Sequence, residues 1–272
     1  MLLPQLPENS EGPSVKSSGV VFYNPAMAGS RTRSVLLFRH AMEEGMLGDG
    51  TVYALDGLTA SGLRARRWLN ELPWELSSRI SATIVDLEKE SLDWARSSHK
   101  EFPPSDGVGD LQTHQGDLRA AVLSSGRHWI DIDPYGSPAP FVDSAMQSMA
   151  RSGVMEVSAT DTAALTGSSK TALMRRYGAR VRTDCLAHDS GMRVMLSCIS
   201  RIAARHDRAI EPLLSVWDSH HLRVSFRVVK SVSTANELEE RIGWRVFSPR
   251  KEEVAASIAS GLQVETGGDV LP

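Results

Sequence analysis

Cysteine is nearly absent from this 272-residue chain: Cys185 and Cys198 are the only two, and their separation matches no metal-ligand spacing. A disulfide framework and a cysteine-based zinc site are thereby excluded, and no metal is expected. Two reduced, buried thiols in a cytosolic protein are expected instead. No run of about 18 apolar residues occurs, so no transmembrane helix and no membrane partner are expected. Met1 to Lys16 contain no apolar stretch, so no signal peptide is expected and the location reads as cytoplasmic. An excess of positive charge is missing too. The formal net charge of −3 argues against a globally basic nucleic-acid binder. No Gly-Lys-Ser/Thr follows a glycine loop, which excludes a phosphate-binding P-loop, and no internal repeat is visible.

The charge that is present is unevenly distributed. Residues 1–150 carry 13 Lys/Arg and 19 Asp/Glu, whereas residues 151–230 carry 13 and 7, and residues 231–272 carry 4 and 7. The basic middle third is where phosphate contacts are expected, with Arg175, Arg176 and Arg223 as candidates. A solvated charged surface is the alternative.

From Val20 onward the pattern alternates strand and helix. Strands are expected over Thr51–Asp56, Ile80–Asp86, Asp110–Gln115, His128–Asp133, Gly153–Thr160 and Leu222–Val229. Helices are expected over Arg33–Met46, Ser61–Glu71, Glu88–Phe102, Ala139–Ala150 and Met192–Arg205. Short links between them imply a parallel sheet covered by helices on both faces. Ligands of such sheets bind at the carboxyl ends of the strands. Acids stand at or near four successive strand ends, Asp56, Asp86, Asp117 and Asp133, and are expected to line one cleft.

Leu55-Asp56-Gly57-Leu58-Thr59-Ala60-Ser61-Gly62-Leu63-Arg64 reads as a strand, a turn of small residues and a helix start. Small residues allow close approach of a ligand, and Arg64 suits a carboxylate. A dinucleotide site explains this segment nearly as well. Asp86 suits the two hydroxyls of a ribose, in a methyltransferase and a dehydrogenase alike. Asp117 suits an adenine amine, or else a helix N-cap after Gly116.

Asp133-Pro134-Tyr135 after the fourth strand separates these readings. An exocyclic base amine is a poor nucleophile because its lone pair is delocalised into the ring. Asp133 and the Pro134 carbonyl can each accept one amine hydrogen and leave the lone pair facing a methyl donor. Tyr135 can stack on the base. Orientation and electrostatics would carry that reaction. A tight chain-reversing turn is the alternative.

At this point the chain resembles the tRNA guanine-26 N2-dimethyltransferases. The match rests on Phe22-Tyr23-Asn24-Pro25-Ala26-Met27 with Arg31, on Asp56 with Thr59 to Arg64, and on Asp133 to Ala145. Ala159 to Gly167, Arg175-Arg176-Tyr177-Gly178-Ala179, Glu211 to Ser215 and His220 to Val224 extend it. The resemblance implies a class I S-adenosylmethionine-dependent methyltransferase: an α/β, Rossmann-like, mostly parallel sheet with helices on both faces and a small C-terminal appendage. It implies S-adenosylmethionine held by Arg31, Arg64, Asp86, Asp117 and Leu118, with Asp56 in the same motif. It further implies a guanine amine held by Asp133 and Pro134, a base between Phe22 and Tyr135, transfer of one or two methyls, and tRNA as partner.

The chain departs from the family pattern at Thr32, where an acid is usual, at Val85 before Asp86, and in its short stretch after the last strand. A leader over 1–18, a methyltransferase domain over 19–230 and a reduced C-terminal region over 231–272 are expected. In the last, Trp244–Phe247 reads as a strand and Ser248–Leu262 as a helix. A protein partner replacing the usual C-terminal RNA-binding domain is a further expectation. Competing readings are an amine methyltransferase for another RNA, DNA or small-molecule acceptor, and a cofactor-binding subunit that relies on a partner for RNA docking.

Overall fold

The computed structural model describes residues 21–124 and 126–243, and the short pieces 245–246 and 270–271. The expected leader and the Ser248–Leu262 helix lie outside the described residues. A first helix α1 (Ala28–Glu43) leads to β1 (Val52–Gly57), α2 (Leu63–Glu71), α3 (Trp74–Ser77), β2 (Ile80–Asp86), α4 (Lys89–Glu101), β3 (Leu111–Gln115) and α5 (Leu118–Ala121). Then follow β4 (Arg127–Ile132), α6 (Ala139–Ser148), β5 (Met149–Ala159), α7 (Thr162–Leu165), α8 (Lys170–Tyr177) and α9 (Ala187–Arg205). The chain continues through β6 (Arg208–Asp218), β7 (His221–Lys230), α10 (Val232–Asn236), α11 (Leu238–Arg241), β8 (Arg245–Val246) and β9 (Val270–Leu271).

Seven strands form one sheet in the order β3-β2-β1-β4-β5-β7-β6. The first five are parallel, and β7 runs antiparallel to both β5 and β6. The chain leaves β1 outward to β2 and β3, then returns to place β4 on the other side of β1. That reversal opens a crevice at the carboxyl ends of β1 and β4. β8 and β9 pair separately.

Buried runs such as Ala82 to Val85 in β2 and Trp129 to Ile132 in β4 are what a strand covered on both faces requires. One face packs Phe38 of α1, Trp68 of α2 and Leu92 of α4 over Ala54, Ile84, Trp129 and Val154. The Phe38 and Trp129 rings stack at 4.2 Å, with Trp68 edge-on to both. The other face packs α5, α6 and α9 over Leu55, Ile130, Val157 and Phe226.

The strands and helices expected between residues 20 and 230 are found, most with shifted ends, and β8 covers the described part of the expected Trp244–Phe247 strand. α1 begins at Ala28 rather than Arg33. α9 begins at Ala187 rather than Met192, because Asp184 accepts from the Leu186 N–H at 2.9 Å and turns the chain into the helix. β6, α3, α7 and α8 were not expected. β6 is an edge strand carrying Pro212 at a register shift, and most of its side chains are at least partly exposed, so its alternation is broken. Cys185 is exposed and Cys198 half-buried, so the expectation of two buried thiols is corrected. No helix among the described residues is long and apolar enough to cross a membrane.

Candidate active site

The turn after β1 is held by its own acid. Asp56, 2% exposed, accepts from Thr59 Oγ1 at 2.6 Å and from the Ala65 N–H at 3.3 Å. Burial pushes its carboxyl up to about 6, against the pull of Arg64 and Thr59. Asp56 therefore shapes the turn and is not exposed along the cleft. Leu58 and Ala60 adopt positive φ (60° and 48°), a conformation that side chains resist and that compact functional turns retain. Glycine is required at Gly57, where an added Cβ would lie 2.7 Å from Leu118 Cδ1 and 3.0 Å from the Asp131 carbonyl. Leu118 is itself buried, so its side chain supports the turn from beneath.

Asp86 ties this turn to β2. One of its oxygens accepts from Ala60 N–H at 2.8 Å and the other from Glu88 N–H at 3.0 Å. A carboxylate offers roughly four acceptor positions, so each oxygen retains capacity for a ligand hydroxyl. Asp117 fulfils the helix-cap alternative. It caps α5 by accepting from Arg119 N–H at 2.8 Å and pairs with the Arg119 side chain, which holds its carboxyl down at about 2.

A buried ionic cluster lies under the crevice. Arg64 on α2 reaches Asp131 (Nε–Oδ2, 3.3 Å) and Asp133 (Nη2–Oδ2, 2.5 Å). Arg223 on β7 pairs with Asp131 and with Glu156 (2.7 Å), and donates to Ser158 Oγ at 2.7 Å. Ser34 and Ser225 donate to Glu156, and Trp68 Nε1 donates to Ser34 Oγ at 3.2 Å. Two guanidiniums thus face three carboxylates, so one proton makes the group neutral. Asp131 is the deepest of the three, and burial pushes its carboxyl up to about 7 in spite of Arg223 and Arg64. Burial acts the same way on Asp133 and Glu156. There the two arginines outweigh it and hold both below the usual carboxylate range.

Arg223 is 3% exposed and committed to this cluster, which corrects its assignment to an RNA-facing surface. Arg175 and Arg176 on α8 are exposed, and Arg176 pairs with Asp161 at 2.9 Å. Sequence reasoning missed the roles of Asp131, Glu156 and Arg223 together. The signal was present as polar residues at alternate positions of three otherwise apolar strands. The strand register aligns Asp131 with Glu156, Glu156 with Ser225, and Ser158 with Arg223.

At the mouth of the crevice Asp133 is about one-fifth exposed, Pro134 is buried and Tyr135 is 79% exposed. The Phe22 ring lies edge-on to Tyr135 with centroids 6.3 Å apart, so the two expected stacking residues are neighbours. Their rings are not parallel, and a base between them needs one ring to rotate. Arg31 donates to the Asn24 carbonyl at 3.1 Å and lies over the Tyr23 ring, which anchors the segment carrying Phe22. Burial, with Arg64 nearby, lowers its guanidinium to about 10. The Nη1 group of Arg64 is buried and donates to no acceptor among the described residues. Among the described residues no group of three or more His, Cys, Asp or Glu side chains is placed to hold a metal ion.

This sheet order, with acids and a tight glycine turn at the reversal point, defines the class I methyltransferase fold. It superposes on Trm1 from Pyrococcus horikoshii, solved with S-adenosyl-L-methionine, at a TM-score of 0.74 and 25% identity, covering 91% of this chain and 67% of that one. The chain belongs to the N2,N2-dimethylguanosine tRNA methyltransferase family, whose model matches residues 5–259. The tRNA (guanine(26)-N(2))-dimethyltransferase of Pyrobaculum calidifontis is 33% identical over 225 residues, covering 82% of this chain and 60% of the relative. That of Archaeoglobus fulgidus is 34% identical over 234 residues, covering 86% and 60%. The chain thus spans about 60% of the length of these curated relatives.

Proposed function

We propose that this chain transfers methyl groups from S-adenosylmethionine to the exocyclic N2 amine of a guanine in tRNA, once or twice, with position 26 as the target. Asp133, Pro134 and Tyr135 at the end of β4, facing Phe22, carry the reading. The residues present fit the methyl donor. Asp86 keeps acceptor capacity for its ribose hydroxyls, and the buried Nη1 of Arg64, unpartnered among the described residues, suits its carboxylate. Arg31 lies close to Arg64 and Asp133. Bound there, S-adenosylmethionine supplies an electrophilic methyl group on a sulfonium.

The protein's part is to orient the amine. Asp133 stays ionised beside Arg64 and accepts one amine hydrogen, and the Pro134 carbonyl accepts the other. The nitrogen lone pair then points away from both acceptors, and Asp133 is placed to receive the proton released as the N–C bond forms. Phe22 and Tyr135 hold the plane of a base taken out of its stack. Arg175 and Arg176, on the exposed face of α8, are proposed phosphate contacts, tRNA is the partner, and the cytoplasm is the place.

The test is methyl transfer from labelled S-adenosylmethionine to unmodified tRNA, followed by nucleoside analysis. N2-methyl- or N2,N2-dimethylguanosine supports the reading. Label on another nucleoside, or none despite calorimetric binding of S-adenosylmethionine, refutes it.

A further inference from the structure

The loop bearing Asp133, Pro134 and Tyr135 runs from the end of β4 to the start of α6 without regular structure, so something outside it must set its shape. Gly136 N–H donates to Thr160 Oγ1 at 2.7 Å, and Thr160 N–H donates back to the Gly136 carbonyl at 2.9 Å. Beside this pair runs a chain of side-chain bonds. Ser137 Oγ donates to the Tyr177 hydroxyl at 2.9 Å, Tyr177 O–H donates to Asp161 Oδ1 at 2.8 Å, and Arg176 Nη1 donates to Asp161 Oδ2 at 2.9 Å. Ser137 Oγ also accepts from the Ala139 N–H at 3.4 Å, so one hydroxyl joins the chain to the first turn of α6.

The inner members are buried. Tyr177 is 4% exposed and the Asp161 side chain 7%, whereas the Arg176 side chain at the outer end is 38% exposed. A buried carboxylate held by one guanidinium and one phenol is rigid, because loss of either partner strands its charge. Burial, aided by Asp161, raises the Tyr177 phenol, which keeps it a donor at neutral pH.

We propose that Tyr177, Asp161 and Arg176 are positioning residues for the amine clamp. Their chain of bonds to Ser137 fixes the direction of the Pro134 carbonyl and the place of Tyr135. The inference rests on the reading of this loop as the base-binding element. It adds that the outer end of the brace lies beside Arg175, so the surface proposed to meet RNA and the loop that orients the base are mechanically one piece.

Tyr177→Phe in the full chain tests this, since it keeps the ring and deletes only the hydroxyl. Misplacement of a reacting group by about 1 Å costs up to roughly a hundredfold, so kcat for methyl transfer should fall by about ten- to a hundredfold. KM for tRNA and the Kd for S-adenosylmethionine should stay within about twofold, and the amides of residues 135–137 should exchange hydrogen faster. Ser137→Ala cuts the same link from the loop side and should give the same split, which preserves the test if Tyr177→Phe fails to fold. An unchanged kcat, or a loss of S-adenosylmethionine affinity equal to the loss of kcat, overturns the proposal. If the unaltered protein methylates no tRNA, the functional reading has failed, and hydrogen exchange alone decides on the brace. Faster exchange confined to residues 135–137 supports it, and unchanged exchange overturns it.

Discussion

The ends of β1 and β2 and the ends of β4 and β5 hold acids in the same relation to the sheet, yet give them different partners. Asp56 and Asp86 accept from backbone N–H groups and a threonine hydroxyl. Asp131, Asp133 and Glu156 meet two guanidiniums. Backbone donors mould a turn and, at Asp86, leave carboxylate edges open to a ligand's hydroxyls. Guanidiniums hold the Asp133 carboxyl below the usual range, while burial raises that of Asp131 against the same two arginines. Acids spaced along strand ends therefore share an address and not a task.

The contrast breaks most severely at Arg223. Arg223→Met keeps the bulk and removes the cation, leaving buried carboxylates uncompensated, and should lower unfolding free energy by ~3–5 kcal/mol in denaturant titration. A loss below about 1 kcal/mol would show that the carboxylates simply take up protons instead. Asp133→Ala comes next. Removing the amine acceptor should reduce kcat by about 10²–10³-fold while calorimetric S-adenosylmethionine binding persists. Near-normal turnover would remove Asp133 from the chemistry.

At the other pair of strand ends the expected effect changes kind. Asp86→Ala deletes charge-assisted bonds worth ~1.5–3 kcal/mol, so the Kd for S-adenosylmethionine should rise by roughly ten- to a hundredfold. Equal affinity would mean that Asp86 serves only the turn.

The smallest effect sharpens the comparison through pH. Asp131 has its carboxyl raised from 3.8 towards about 7. The folded protein then binds a proton that the unfolded chain has released, so this contribution to stability is whole below pH 3.8 and is lost as pH rises through about 7. Asp131→Asn, which cannot titrate, should flatten the slope of Tm against pH over this interval. An unchanged slope would place the shared proton elsewhere.

Much of the fold was legible because its strands are short, apolar and punctuated. Ile80–Asp86 was read to the residue, since both faces are buried and an acid closes it. β6 escaped because an edge strand has one partner and no continuous apolar face to advertise it. In the site, the Asp133-Pro134-Tyr135 run was legible as a local string. The ionic cluster was not, because it is assembled from α2, β4, β5 and β7, and charge pairing across strands depends on register. Arg223 shows the cost of ignoring that: its alternation with Arg227 marks a strand face without telling whether that face meets water or carboxylates. Asp117 was legible only as two alternatives, and the cap is a matter of one backbone N–H that no spacing reveals.

The two thiols also divide in a way that makes the molecule convenient to observe. Cys185 is exposed in the stretch between α8 and α9 that carries Arg180 and Arg182, while Cys198 is half-buried on α9 with its thiol pushed up by burial. Alkylation requires the thiolate and access to it. A maleimide dye should therefore attach at Cys185 first in the unaltered sequence. It would place a fluorescent reporter beside the α8 surface without the introduction of any new side chain.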